Sequence, residues 1–506
     1  MRKQKTLLEL LQLGADEAPA ITAPGRAALN YFELRKHVDT TITRLNAIGL
    51  GRGDRVAIVL PNGPEMATAF VAVGVGMTTA PLNPKYREEE FKFYLSDLKA
   101  KALMVEQGSE SPAINAAKSL GIPVINIVVP ENAPAGYFQI VGDRIGNSDS
   151  PGTASEDEIA LILHTSGTTS RPKIVPLSQK NICASADNIS KTLKLTVEDR
   201  CLNIMPLFHI HGLIAAVLSS LRAGASIYCT PGFNALKFFA WHDDILPTWY
   251  TAVPTMHQAI LTRAERNKSS IEHSKLRFIR SSSASLPPQI MAALEAAWGS
   301  PVIEAYGMTE AAHQMASNPL PPAKQKPGSV GLPAGPEVAI MGKYDEILKV
   351  GDLGEIVIRG ANVTSGYENN PSANKEAFAD GWFRTGDQGT IDDDGYLKLT
   401  GRLKEIINRG GEKISPREVD EVIMNHPAVE QVVTFAVPHD KLGENVAAAI
   451  VLNQGIDADE KSIREFAALS LADFKVPRLI VFLDEIPKGA TGKLQRIGLA
   501  DKLGLV

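Results

Sequence analysis

A run of small and hydroxyl residues between an apolar strand and a basic segment is the part of this chain best suited to phosphate chemistry. It lies in residues 163–177, LHTSGTTSRPKIVPL, directly after the apolar segment 159–163. Hydroxyls and free backbone N–H groups in such a turn can wrap phosphate oxygens, and the lysine adds charge. A Walker A loop is excluded because its glycine and lysine spacing cannot be aligned here. We predict a phosphate-binding loop of Thr165, Ser166, Gly167, Thr168, Thr169, Ser170 and Lys173.

Further motifs follow this loop in order along the chain. They are PLFHIHG at 206–212, YGMTE at 306–310, WFRTGD at 382–387, GR at 401–402 with GGEKISPREVD behind it, and PKGATGK at 487–493. Together they resemble the motifs of the adenylate-forming superfamily, which includes acyl-CoA synthetases, firefly luciferase and peptide-synthetase adenylation domains. The resemblance extends along nearly the whole chain. One departure is Ile174, where the superfamily usually has glycine, since a β-branched residue disfavours positive φ.

The resemblance implies a nucleotide site assembled from distant parts of the sequence. Tyr306 offers a flat face for adenine, and Asp387 and Arg402 meet the ribose. Thr309 donates to the α-phosphate, while Glu310, an anion beside a triphosphate, needs a Mg²⁺ ion between them. The other nucleotide-binding residues implied are Ser283, Ala284, Ser285, Glu304, Ala305, Gly307 and Lys493.

The same resemblance implies how a carboxylic acid is activated. The carboxylate attacks the α-phosphorus of ATP, pyrophosphate leaves, and an acyl-adenylate forms. Lys493 bridges the carboxylate and the α-phosphate, where it stabilises developing negative charge. Thr309, Glu310 and His209 complete the set of catalytic candidates.

A second step transfers the acyl group to a thiol, for which coenzyme A is the expected partner. The thiol approaches where the catalytic lysine stood, so the small C-terminal domain must rotate between the steps. Lys404 matches the hinge position of the superfamily. Gly410 and Gly411 fall where the superfamily lines its pantetheine tunnel, and glycines allow a close backbone approach.

The choice of acid depends on a narrower resemblance. WYTAVPTMHQ at 249–258, KLRFIRSSSASL at 275–286 and EAYGMTEAAHQMASNPLP at 304–321 resemble the oxalate–CoA ligases of plants and yeast. A dicarboxylate needs donors for its second carboxylate, because an unpaired buried anion is costly. The candidate donors are His209, Ser281, Ser283 and His313, with Arg280 at the end of the preceding strand. Two alternatives remain. The protein could ligate another short or medium acid, as 4-coumarate-like enzymes do, or it could be a member of the superfamily that does not use coenzyme A.

The hydrophobic pattern predicts the strands and helices that position these residues. Apolar runs such as 55–60, 102–105 and 226–229 alternate with helical patterns, which favours parallel sheets covered on both faces. We predict an α/β protein: an N-terminal domain over residues 1–400 has two parallel-sheet subdomains and a small antiparallel β-barrel. A mobile α+β domain follows over residues 401–506.

The composition bears on binding partners, cellular location and metal binding. The 506 residues carry 52 basic and 57 acidic side chains, a net charge of −5, so no global attraction to nucleic acid or membrane is expected. Three cysteines outside any C-x-x-C pattern indicate no disulfide framework and favour a cytoplasmic location. We expect no signal peptide. His209 and His211 make a weak metal signal, because two histidines without further ligands rarely hold a metal.

Overall fold

The computed structural model describes residues 4–165, 172–489 and 493–506. The first of its sheets has seven strands, parallel in the centre and antiparallel at both edges. The strand Arg55–Val59 is almost wholly buried, as expected for a parallel strand covered on both faces. In spatial order the strands are Gln139–Val141, Val124–Val128, Ala102–Glu106, Arg55–Val59, Thr78–Pro81, Ile159–Thr165 and Lys173–Ser178.

A second sheet has nine strands and carries most of the candidate site. Its central strands are parallel, and a large hydrophobic core is shared with the first sheet. In spatial order the strands are Leu332–Pro333, His313–Ser317, Val302–Met308, Phe278–Ser282, Trp249–Ala252, Arg200–Asn203, Ser226–Cys229, Pro19–Thr22 and Leu29–Asn30.

Helices connect the strands and cover the sheets. The helix Tyr31–Ile48 shows how local sequence sets the limits, since Asn30 and Glu33 form a capping box and Gly49 ends it at φ 110°. The α-helices are Leu7–Leu11, Tyr31–Ile48, Pro64–Gly76, Glu88–Asp97, Pro112–Ser119, Gln179–Thr192, Ser219–Arg222, Phe238–Ile245, Pro254–Leu261, Lys268–Glu272, Pro288–Trp298, Pro371–Ala377, Pro416–Ile423, Glu460–Ala468 and Leu499–Lys502. A π-helix spans His211–Leu218, and 3₁₀-helices span Glu265–Asn267, Thr309–Ala311, Leu403–Glu405 and Asp473–Lys475.

Two smaller sheets follow in the C-terminal part of the chain. The first is antiparallel, occupies the place predicted for the small barrel, and consists of Glu337–Met341, Gly354–Arg359, Phe378–Ala379, Trp382–Ile391 and Leu397–Arg402. The second has its own hydrophobic clusters and consists of Ile407–Arg409, Glu412–Ile414, Val429–His439, Gly443–Leu452 and Leu479–Phe482.

This architecture confirms the predicted fold class of parallel and antiparallel sheets with helices. The boundary near residue 400 stays a prediction, although the sheet that begins at Ile407 packs around separate cores. Within the described ranges, every helix is too short or too polar to cross a bilayer.

Candidate active site

Three residues from three strands form one wall of the site. The Tyr306 hydroxyl donates to Asp387 Oδ2 at 2.5 Å, and Arg402 Nε donates to Asp387 Oδ1 at 2.9 Å. Asp387 and Arg402 are directly opposite each other on adjacent antiparallel strands, so the sheet register brings the pair together. The Asp387 amide also donates to the Thr385 hydroxyl at 3.1 Å. A carboxylate held this way has a fixed orientation toward a bound ligand.

Lys493 reaches this wall from the far end of the chain. Tyr306, Asp387, Arg402 and Lys493 line one cavity of about 430 Å³, which has room for a small-molecule ligand. Burial lowers the pKa of Lys493 to about 8, the nearby Arg402 charge acts in the same direction, and Asp387 opposes them. The lysine therefore holds its proton weakly until an anion comes near.

The segment that follows Lys493 is anchored by Arg496. Its Nη1 donates to Glu405 Oε2 at 2.7 Å, its Nη2 binds Asp420, and its Nε donates to the Thr434 carbonyl at 2.7 Å. Gly489 donates its N–H to the Lys493 carbonyl at 2.7 Å. These contacts hold the lysine against the wall of the cavity in this domain arrangement.

Glu310 is a buried carboxylate near Lys173, a described residue of the predicted phosphate loop. The Tyr367 hydroxyl donates to its Oε1 at 2.8 Å, and Lys173 Nζ lies 4.3 Å from the centre of the Tyr367 ring. Burial raises the pKa of Glu310, whereas the Tyr367 hydrogen bond and the charges of Arg402 and Lys173 lower it. A desolvated carboxylate gains from a cation, and an oxygen donor suits Mg²⁺. In the described ranges no cluster of three metal-ligating side chains exists.

A group of histidines lies at the other end of the site. His211 Nδ1 is 3.0 Å from Ser283 Oγ, its Nε2 is 2.6 Å from Thr251 Oγ1, and its ring packs edge-on against His313 at 5.0 Å. Sequence reasoning dismissed His211 as half of a weak metal signal. His211 is fully buried at the start of a π-helix, and π-helical turns are often found at functional sites.

Burial keeps these imidazoles neutral. It lowers the pKa of His209 to about 3, with the Lys493 charge acting in the same direction. It also holds the pKa of His211 and His313 well below the usual value, and the Arg280 charge contributes at both. His313 Nδ1 is buried and has no partner among the described residues. The group therefore offers neutral donors and acceptors to a polar ligand.

The backbone around this group is held in an unusual conformation. Ser283, Ala312 and His313 have φ of 75°, 47° and 105°, values that side chains other than glycine rarely adopt. Gly307 lies so close to the start of the neighbouring strand that a Cβ would be 2.1 Å from the His313 carbonyl oxygen. Such strain persists where the surrounding structure over-determines it, as it does at binding sites.

The structure brings together most, but not all, of the predicted residues. Ser283, Ala284, Ser285, Glu304, Ala305 and Gly307 line the same cavity as Lys493. Thr309 begins the 3₁₀-helix that carries Glu310, and Thr165 is paired with Lys173 on adjacent strands. Ser166, Gly167, Thr168, Thr169 and Ser170 lie outside the described residues.

Ser281 is a correction to the predicted acid site. It is fully buried, and its Oγ has no partner in the part of the chain that the structure describes. It follows Arg280 on a strand, where successive side chains point to opposite faces of the sheet. Because Arg280 faces Thr251 and the histidines, Ser281 points away from them.

The residues predicted for coenzyme A lie outside the cavity in this arrangement. Lys404 belongs to the short helix after Arg402, while Gly410 and Gly411 form the turn between strands Ile407–Arg409 and Glu412–Ile414. Their φ values of 61° and 97° explain locally why two glycines occur there, since such tight hairpins need positive φ at both positions.

Comparisons with known proteins place this geometry in a family. The family model described as AMP-binding enzyme matches residues 13–368, and the model of the AMP-binding enzyme C-terminal domain matches residues 418–493. The chain therefore belongs to the AMP-binding enzymes, as the motifs predicted.

Similar proteins cover nearly the full length. The chain is 46% identical to an oxalate–CoA ligase of Arabidopsis thaliana, over 97% of each chain. It is 43% identical to an oxalate–CoA ligase of Saccharomyces cerevisiae, over 92% of this chain and 90% of the relative. The crystal structure of ATP-bound MatB from Rhodopseudomonas palustris has a TM-score of 0.88 at 28% identity, over 98% of each chain.

Proposed function

We propose that this protein is an ATP-dependent acid–thiol ligase that activates oxalate as an acyl-adenylate and transfers it to coenzyme A, releasing AMP and pyrophosphate. The observation that carries the proposal is the convergence of Lys493 with Tyr306, Asp387 and Arg402 in one cavity, beside a group of neutral histidines. The Lys493 ammonium lies beside the residues proposed to bind the nucleotide. From there it can neutralise the negative charge that develops when a carboxylate attacks a phosphate.

In the first step the chain positions two anions against each other. Tyr306 stacks on adenine, and Asp387 and Arg402 hold the ribose. Lys493 lies between the acid carboxylate and the α-phosphate, where its charge stabilises the transition state as pyrophosphate leaves. Thr309 donates to the α-phosphate. Mg²⁺, when bound at Glu310, would neutralise charge on the leaving pyrophosphate.

The acid is held at the histidine end of the site. His209, Ser283 and His313 supply polar groups to the second carboxylate of oxalate, which would otherwise be an unpaired buried anion. A long aliphatic or aromatic acid would meet these groups instead of the apolar wall it needs. Recognition by hydrogen bonds also rejects analogues more strongly than an apolar pocket does.

The second step requires a different domain arrangement. Lys493 lines the cavity here, so the thiol of coenzyme A enters only after the C-terminal domain turns about Lys404. Gly410 and Gly411 then line the path of the pantetheine arm. All three cysteines are free and buried, which supports our proposal of a cytoplasmic location.

One assay tests the function directly. Purified protein is supplied with ATP, Mg²⁺ and one acid from a panel of oxalate, malonate, acetate, 4-coumarate and octanoate, and pyrophosphate release is measured with and without coenzyme A. We expect release with oxalate, continuous turnover only with coenzyme A, and oxalyl-CoA by mass spectrometry. Preference for any other acid of the panel would overturn the assignment of oxalate, and no release with any acid would overturn ligation itself.

A further inference from the structure

A buried arginine without an acidic partner lies behind the acid-binding end of the site. Arg280 is 0% exposed on the strand Phe278–Ser282. Its Nη1 donates to Thr251 Oγ1 at 3.4 Å and its Nη2 to Gln314 Oε1 at 3.3 Å, while its Nε has no partner. No carboxylate within 4–165, 172–489 or 493–506 forms an ion pair with it.

Arg277, at the start of the same segment, shows the ordinary arrangement. Its Nη1 donates to both oxygens of Asp199, at 2.6 and 2.7 Å. A buried charge is strongly unfavourable unless it is paired, so the missing partner of Arg280 needs an explanation. An anion that is present only when substrate is bound would offset that charge from a distance.

A continuous chain of polar contacts leads from Arg280 to the cavity. Thr251 Oγ1, which accepts from Arg280, lies 2.6 Å from His211 Nε2, and His211 Nδ1 lies 3.0 Å from Ser283 Oγ. Ser283 lines the cavity and is held at a φ of 75°.

One order of hydrogen bonds along this chain leaves Ser283 with a free proton. A guanidinium can only donate, so the Thr251 oxygen accepts from Arg280, and in this order the Thr251 hydroxyl donates to His211 Nε2. Neutral His211 then carries its proton on Nδ1 and donates to Ser283 Oγ, and the Ser283 hydroxyl proton is free to donate into the cavity. In the opposite order His211 Nε2 donates to the Thr251 oxygen, and the Ser283 proton is used at His211 Nδ1.

We propose that Arg280 is a positioning residue for dicarboxylate recognition: through Thr251 and His211 it orients the Ser283 hydroxyl toward the second carboxylate, and its unpaired charge favours a dianion. This inference rests on the proposed function, because it assumes an acid with a second carboxylate. It adds to that function the residues that select for charge without touching the substrate.

The test compares three variants at the chain with a matched control. Arg280→Met removes the charge at similar length, Arg280→Lys restores a charge, and Thr251→Val breaks the chain of contacts while the charge stays. Arg277→Met removes a cation that is already neutralised by Asp199. The KM values for oxalate and ATP are measured by pyrophosphate release for each protein.

We expect Arg280→Met to raise the KM for oxalate by ~10–100-fold, as the loss of one charge interaction in a partly polar interior predicts. The KM for ATP should stay within about twofold, because Arg280 does not face the nucleotide. Arg280→Lys should recover part of the loss, Thr251→Val should raise the KM for oxalate by ~3–10-fold, and Arg277→Met should leave it unchanged.

The outcomes distinguish failure of the Arg280 proposal from failure of the proposed function. An unchanged KM for oxalate in Arg280→Met, or equal rises in both KM values, would overturn the inference while wild-type turnover of oxalate left the proposed function intact. If Arg280→Met does not fold, an unchanged KM for oxalate in Thr251→Val overturns the oriented chain. Wild-type protein that turns over monocarboxylates alone would overturn both proposals together.

Discussion

The two ends of the active site satisfy their charges in opposite ways. At the nucleotide end, Asp387 is hydrogen-bonded to Tyr306 and paired with Arg402, and Glu310 is hydrogen-bonded to Tyr367. At the acid end, Arg280 has no carboxylate partner in the described part of the chain, and His313 Nδ1 is unpartnered there.

Part of the nucleotide end is a preorganised binding site, whereas the acid end is completed only when a ligand binds. The paired groups Tyr306, Asp387 and Arg402 keep their geometry with the cavity empty, so this part of the nucleotide end is preorganised. Unpaired groups at the acid end gain most from an occupant with the opposite charge, since a buried polar group without a partner is costly. The two ends should therefore respond to substitution through different Michaelis constants.

The largest effect is expected where the two ends meet. Lys493→Ala should lower the rate of adenylate formation by ~10²–10⁴-fold, because the cation between carboxylate and α-phosphate is lost. Preformed oxalyl-adenylate should still react with coenzyme A, which is followed by thioester formation. Lys488→Ala is the control, since Lys488 is exposed and paired with Glu485 on the same turn. Equal loss in both half-reactions would contradict rotation of the domain between the steps.

The nucleotide end is tested by Asp387→Asn. The substitution removes a charged acceptor of two hydrogen bonds and leaves Arg402 unpaired, so we expect the KM for ATP to rise by ~10–100-fold with little change for oxalate. Asp392→Asn, on the same hairpin, breaks only the partly exposed ion pair with Lys326 and should change neither constant. A rise confined to the KM for oxalate would reverse the assignment of the two ends.

The acid end is tested by His313→Ala. Loss of a buried polar group beside the second carboxylate should raise the KM for oxalate by ~10–30-fold, and the KM for ATP should change far less. His273→Ala provides the control, because that histidine is exposed and its ring contacts the Ser269 carbonyl of the preceding helix. Unchanged oxalate kinetics would remove His313 from the acid site.

The pH dependence of adenylation is expected to be a smaller effect than the three substitutions, and we attribute it to Lys493. Its pKa is lowered to about 8, so the ammonium form dominates well below that pH, is half populated at it and is lost as the pH rises through it. We expect kcat/KM for adenylation to fall above pH 8 and to reach about one tenth near pH 9. Lys493→Arg, though slower, should show no such fall, because arginine keeps its charge. The same fall in the arginine variant would assign the titration to another group.

Sequence alone predicted the nucleotide end in more detail than the acid end. Its residues stand in sequence motifs whose residue types indicate their chemical roles: Tyr306, Glu310, Asp387, Arg402 and Lys493. The fold class was predicted from the alternation of apolar strands with helices. The convergence of the site residues depends on strand order and register for Tyr306, Asp387 and Arg402, and on the contacts of Arg496 for Lys493.

The acid end depended on facts that the sequence does not contain. His211 contacts Thr251, 40 residues away, and begins a π-helix. Ser281 was assigned to the wrong face because adjacent strand positions alternate, and only the register decides which one faces the histidines. The missing partner of Arg280 is visible only once every nearby carboxylate has been located.

The close approach at Gly307 has a consequence for anyone who redesigns this enzyme. A methyl group there would collide with the His313 carbonyl oxygen, so the strand that carries Tyr306 and the strand that starts at His313 cannot be separated or exchanged independently. Libraries aimed at bulkier acids should hold position 307 constant and vary the opposite wall of the pocket. New specificity reached through position 307 would be gained at the expense of the adenine contact.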